Sequence, residues 1–136
     1  MSKLIEQLKA HEGFRSKPYK CTADKLTIGY GLNLDAGIDG ELAEIILNYQ
    51  IQKVKSSLDK FSWYASIDSE QRKDVIVNMA FNLGVAGVCK FIKMINAISL
   101  HDYHQATTEM LDSKWAKQVG NRSVELAEQM RSGQYK

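Results

Sequence analysis

Apolar residues recur at three- and four-residue steps through most of this 136-residue chain, and the exception lies near its start. Leu4, Ile5 and Leu8, with charged residues between them, predict a helix over about 2–11. It stops at Glu12-Gly13, where glycine is a natural helix end. Pro18 argues against helix in the next stretch. From Pro18 to Leu34 the strand-favouring residues Tyr19, Thr22, Leu26, Thr27, Ile28 and Tyr30 take over, and Ala23-Asp24-Lys25 suits a tight turn. Gly29 and Gly31 flank Tyr30, and glycine within a strand often marks a bulge or a close backbone approach. Two or three short antiparallel strands are expected there.

The helical rhythm then returns. Asp39 is a good N-cap, and Leu42, Ile45, Ile46, Tyr49, Ile51, Val54 and Leu58 predict one long helix over about 40–60 with a broad apolar stripe. Asp68-Ser-Glu-Gln resembles a capping box, with Gln71 three residues past the cap. The helix it opens runs to about Leu83, buries Val75, Ile76, Met79, Ala80 and Leu83, and closes at Gly84. Residues 85–90 read as a turn or a single-turn helix, and Phe91, Ile92, Met94, Ile95 and Ile98 as the next helix. His101 or Asp102 opens another, Trp115 falls in a connecting turn, and Asn121 caps a last helix to about Arg131, ended by Gly133. Met79, Phe81, Phe91 and Trp115 read as core.

The expected fold class is therefore α+β and mostly helical, in a single domain over 1–136. Its parts are a β-containing N-terminal lobe over about 12–38, a connecting helix over about 39–60 and a helical C-terminal lobe over about 61–136, with helix 2–11 packing on that lobe.

Composition narrows this picture only a little. The net charge of +2 comes from scattered Lys and Arg, without a basic tail or an aromatic–basic stripe, so neither nucleic acid nor stable membrane insertion is expected. Cys21 and Cys89 lack any CxxC setting and read as free thiols. Lys3, Glu6 and Lys9 interrupt the N-terminal apolar residues, so they form no signal-peptide core, and no run approaches the roughly 18 apolar residues of a membrane span. The three histidines lack metal-ligand spacing, and neither metal nor cofactor is expected.

The candidate chemistry sits between the first helix and the hairpin. Glu12 ends a helical pattern, where the negative end of the macrodipole disfavours a charged carboxylate, which suits a general acid. Cys21 lies near a turn between Lys20 and Thr22, and Thr27 on the strand Thr-Ile-Gly-Tyr-Gly. Gly29 and Tyr30 can bring backbone close to a ligand, and Asn82 is a polar residue in an apolar helical pattern, either in a cleft or bonding at the helix end.

These residues carry a resemblance. Glu12-Gly13, Arg15, Tyr19, Cys21 and Thr27-Ile28-Gly29-Tyr30-Gly31 resemble the bacteriophage lysozymes of the T-even phage type, glycoside hydrolase family 24, whose mark is Glu, eight residues, Asp or Cys, five residues, Thr. Asn78-Met-Ala-Phe-Asn-Leu-Gly84, Gly87-Val, Phe91, Ser113-Lys-Trp115 and Asn121-Arg122 extend it over nearly the whole chain. Where the family often has His after Gly-x-Gly, this chain has Leu32.

The resemblance implies a two-lobed lysozyme fold and an endolysin muramidase that hydrolyses β-1,4 bonds between N-acetylmuramic acid and N-acetylglucosamine in peptidoglycan. Glu12 would be the general acid, Thr27 would hold a water, and Cys21 would stand in the usual Asp position, its charge depending on Lys20 or another cation, with Asp24 a distant substitute. Arg122 would correspond to the arginine that pairs with the family's catalytic Glu. The protein would be a monomer, held in the host cytoplasm until a separate holin opens the membrane. Two rival chemistries stay open. A lytic transglycosylase on the same bond needs one acid and no positioned water. A cysteine peptidase of the wall peptide stems would pair Cys21 with His11, His101 or His104.

Overall fold

The first helix begins where Ser2 turns its hydroxyl onto the Ile5 N–H, 3.3 Å away, satisfying one of the orphan donors of a helix start. In the computed structural model, which describes residues 2–135, this helix, α1, runs Lys3–Glu12. It stops at Gly13, whose φ of +71° only glycine adopts cheaply and whose N–H bonds to the Lys9 carbonyl.

Three antiparallel strands come next in the order β1-β2-β3: β1 Arg15–Lys20, β2 Leu26–Gly29 and β3 Leu32–Asn33. Tyr19 pairs with Thr27 and Lys20 with Leu26, but the register shifts before Arg15, which pairs with Gly29. Pro18 lies in the shifted stretch of an edge strand, a place where a missing N–H is tolerated. The β1–β2 turn is held by the Cys21 N–H on the Lys25 carbonyl (3.0 Å) and the Asp24 N–H on the Cys21 carbonyl (2.9 Å). Asn33 caps a 3-10 turn over Leu34–Ala36, and the Asp35 carboxylate accepts the Leu26 N–H at 2.9 Å, fastening the start of β2. Asp39 caps the long helix α2, Gly40–Leu58, through the Leu42 N–H (2.8 Å).

The chain divides into two compact units, Met1–Ile46 and Leu47–Lys136, so the boundary falls inside α2. Helix α1 belongs to the first unit, and none of its residues is buried. Among the described residues of this unit only Thr27 is buried; Leu26, Ile28, Leu34 and Leu42 are half-buried. Forty-odd residues with two short secondary-structure layers enclose too little volume for a dry core. The apolar stripe of α2 is buried only at Leu58, with Ile51 and Val54 packed against the core of the second unit, while Ile45, Ile46 and Tyr49 are exposed.

The second unit holds the core. Helices α3 Ser62–Ala65, α4 Glu70–Leu83, α5 Val85–Cys89, α6 Ile92–Ser99, α7 Tyr103–Leu111, α8 Lys114–Val119 and α9 Asn121–Ser132 surround it. Val75, Ile76, Met79 and Ala80 of α4 recur at helical spacing and pack with Val88, Met94, Ile98, Met110, Leu126 and Met130. Arg72 ties the ends together: it donates to the Met130 carbonyl (2.7 Å) and the Arg131 carbonyl (2.9 Å), and lies 4.1 Å from the Tyr103 ring centroid.

Three sequence expectations shift here. The cap of α4 is Ser69, which accepts the Arg72 N–H, one residue past Asp68. Trp115 is buried on α8, capped by Ser113, instead of lying in a turn. Asn121 is the first residue of α9, not its cap: Gly120, with φ +58°, makes the bend, and the Asn121 amide reaches Glu125.

Candidate active site

The end of α1 and the turn between β2 and β3 meet at one carboxylate. A Cβ built on Gly31 would lie 3.0 Å from Glu12 Oε2 and 3.5 Å from its carboxyl carbon. Gly31 also has φ +92°, so a side chain is disfavoured there both by backbone and by the acid. The glycine that the sequence marks as a close approach is thus approached by Glu12. Gly29, at φ +69°, has open space where its Cβ would be, so its role is the turn itself.

Cys21 and Thr27 lie at the other end of β2. Thr27 is buried, and its hydroxyl donates to the Lys25 carbonyl at 2.9 Å. The backbone N–H groups of Lys25 and then Ala23 converge on the Cys21 sulfur, with the Thr27 hydroxyl third, and hold the thiol below its ordinary pKa. The sequence points to Lys20 as the source of that effect. Lys20 instead faces Asp24 at 3.7 Å, both side chains largely in solvent, so the turn's amides supply it and Asp24 is directed at Lys20. The single Thr27 hydrogen serves either the Lys25 carbonyl or the thiolate, and its oxygen keeps lone pairs to accept from water.

Two of the proposed site residues belong to the second unit. Arg122 is oriented by Asn78: its Nε and Nη2 donate to Asn78 Oδ1 at 3.1 and 2.7 Å, and Nη2 lies 3.4 Å from the Asn78 carbonyl. The pair lines a cavity of about 370 Å³ with Lys55, Phe81, Asp74 and Tyr135. Phe81 is exposed there, against its assignment to the core. The Tyr135 phenol, hydrogen-bonded to Asp74, is pushed up to about 12. Asn82 accepts the Trp115 Nε1–H at 3.0 Å, which favours the hydrogen-bonding reading of that residue. A larger cavity of about 660 Å³, walled by Leu83, Phe91, Met94 and Trp115, contains none of the proposed site residues.

Sequence reasoning missed Asn78, Lys55 and Tyr135. Asn78 stands 44 residues before Arg122, and only its place at the head of the Asn78–Gly84 motif hinted at a role. No group of three or more His, Cys, Asp and Glu suited to a metal ion occurs among the described residues.

Residues 9–132 match the phage lysozyme family model. An endolysin of Acyrthosiphon pisum secondary endosymbiont phage 1 is 30% identical over 114 residues, 81% of this chain and 75% of the relative. Probable T4-type lysozymes 2 and 1 of Dictyostelium discoideum are each 26% identical; the alignments cover 100% and 98% of this chain and 98% and 96% of theirs. The helix–hairpin–helix order around Glu12 and the match across nearly the whole length agree: the chain belongs to the phage lysozyme family and is a glycoside hydrolase that degrades peptidoglycan.

Proposed function

We propose that this enzyme is an endolysin muramidase cutting the β-1,4 bond from N-acetylmuramic acid to N-acetylglucosamine, with Glu12 as general acid. The placement of the Glu12 carboxylate against Gly31 carries the reading, because a position without a side chain leaves that flank of the acid uncovered. Glu12 gives its proton to the glycosidic oxygen as the C1–O bond breaks. A water accepted by the Thr27 oxygen adds to the anomeric carbon from the opposite face, and its proton passes to the Cys21 thiolate. That order inverts the anomeric centre and needs the roughly 6.5–9.5 Å between acid and base that admits a water. Cys21 is a helper to the Glu12–Thr27 pair. Arg122, oriented by Asn78, is the second unit's candidate for substrate contact.

Mass spectrometry of muropeptides tests this. Hydrolysis adds one water to the cut sugar, whereas a transglycosylase leaves an anhydro end and a peptidase frees amino groups. Reducing ends from the wild type, lost in Glu12→Gln, are the expected result; anhydro ends or freed amino groups would sink the reading.

None of the described helices is long and apolar enough to cross a membrane. In keeping with an endolysin, the enzyme accumulates in the host cytoplasm as a monomer and reaches the wall through a lesion made by a separate holin. Expression without a holin should leave cells intact until the membrane is permeabilised.

A further inference from the structure

Next to Glu12 lies a pair of aromatic side chains that the mechanism does not use. Phe14 is two residues beyond Glu12 and 63% exposed; Tyr30 adjoins Gly31 and is 48% exposed. Their ring centroids are 5.5 Å apart with the planes inclined by 46°, so the rings form an open corner instead of covering each other's faces. Lys9, in the last turn of α1, holds its ammonium 5.8 Å from the Tyr30 centroid and makes no ion pair among the described residues. The sequence pattern gives Tyr30 a role through its backbone only, and Phe14 none.

We propose that Phe14 and Tyr30 form a platform on which one pyranose ring of the glycan strand stacks beside Glu12, and that Lys9 pairs with a carboxylate of the peptide stem carried by that strand. This rests on Glu12 being the acid. A pyranose presents an apolar C–H face and a polar rim, and aromatic faces with a few placed polar groups are the usual lining of a site that must hold such a ring. Phe14 follows Glu12 by two residues in the chain, and Tyr30 precedes Gly31, whose Cβ position lies 3.0 Å from Glu12 Oε2, so the paired rings flank the acid in sequence and through Gly31 in space. The free lactyl carboxylate of N-acetylmuramic acid is lost as an amide once the stem is attached, so on peptide-bearing wall the charge that Lys9 can use is a carboxylate of the stem itself.

The test separates stacking from packing. Steady-state hydrolysis of solubilised wall glycan is measured for Phe14→Leu and Phe14→Trp. Leucine keeps apolar bulk without a π face, so KM should rise about tenfold, and tryptophan should restore it. Binding of a disaccharide-peptide and of the disaccharide with its lactyl carboxyl amidated is measured by calorimetry in the Glu12→Gln background. Adding Lys9→Gln should weaken the disaccharide-peptide several-fold more than the amidated disaccharide and flatten its salt dependence. An unchanged KM in Phe14→Leu, a rise that Phe14→Trp fails to rescue, or equal weakening of both ligands by Lys9→Gln would overturn the proposal. Full lytic activity in Glu12→Gln would instead remove the acid on which the proposal stands, and is read separately from the Phe14 series.

Discussion

In the proposed mechanism Cys21 stands in a carboxylate's position, and its thiol must draw its negative charge from its surroundings. At Cys21 the surroundings are the amides of its own turn, Lys25 and then Ala23, assisted by Thr27. Because the folded pKa is lowered, the thiolate persists below the range of a free thiol, about 8.5, and is lost as pH falls through the lowered value. Alkylation of Cys21 by iodoacetamide, with peptide mass mapping so that Cys89 is scored separately, should half-titrate below that range. The low-pH loss of lytic rate should shift when Cys21 is replaced. Cys21→Ser removes only a helper and should keep a measurable fraction of activity, whereas Glu12→Gln should lose at least about a hundredfold. Equal inactivation of the two variants in a turbidity assay would show that the sulfur is indispensable.

At the scale of elements, one glycine turn lets helix and hairpin share a site. Gly31→Ala puts a Cβ 3.0 Å from Glu12 Oε2 at φ +92°. It should cost roughly 1–3 kcal/mol in backbone strain and displace the acid, so activity should fall further than stability does. Denaturant melts alongside lytic rates measure both. In the helical unit, Arg72 joins the start of α4 to the carbonyls that end α9. Arg72→Leu leaves the Met130 carbonyl unpaired in a part-buried place, the Arg131 carbonyl being exposed to water, and should destabilise by about 1–3 kcal/mol without touching Glu12. A urea midpoint unchanged within error would contradict that account.

At the scale of the whole molecule, the two units differ in what holds them. Residues 47–136 contain the buried Val, Ile, Met and Leu cluster, while residues 1–46 rely on caps, turns and a three-stranded sheet. Hydrogen exchange should therefore show the strongest protection in α4 and α9 and early exchange in α1 and the strands. The proposed glycosidase residues Glu12, Cys21 and Thr27 sit in the less stable unit, and a substrate fragment bound there should slow exchange in residues 26–33. Uniform protection along the chain would refute this division.

The sequence by itself determined the run of elements and the residues with reactive groups. Helical periodicity, glycine stops and the Glu12–Cys21–Thr27 spacing are local, since they depend on side chains and backbone preferences a few residues apart. Tertiary structure decided what those groups face. Gly31 meets Glu12 across nineteen residues, Asn78 orients Arg122 across 44, and Trp115 is drawn onto a short helix and onto Asn82 across 33. The same holds for the cap that moved from Asp68 to Ser69, where Asp68 engages the Arg72 guanidinium instead. It also holds for the sulfur of Cys21: a sequence shows Lys20 beside it, but only the folded turn directs Lys20 toward Asp24 and the amides of Ala23 and Lys25 toward the thiol. Charge and distance act through space, and a linear pattern carries no distances beyond its own turns.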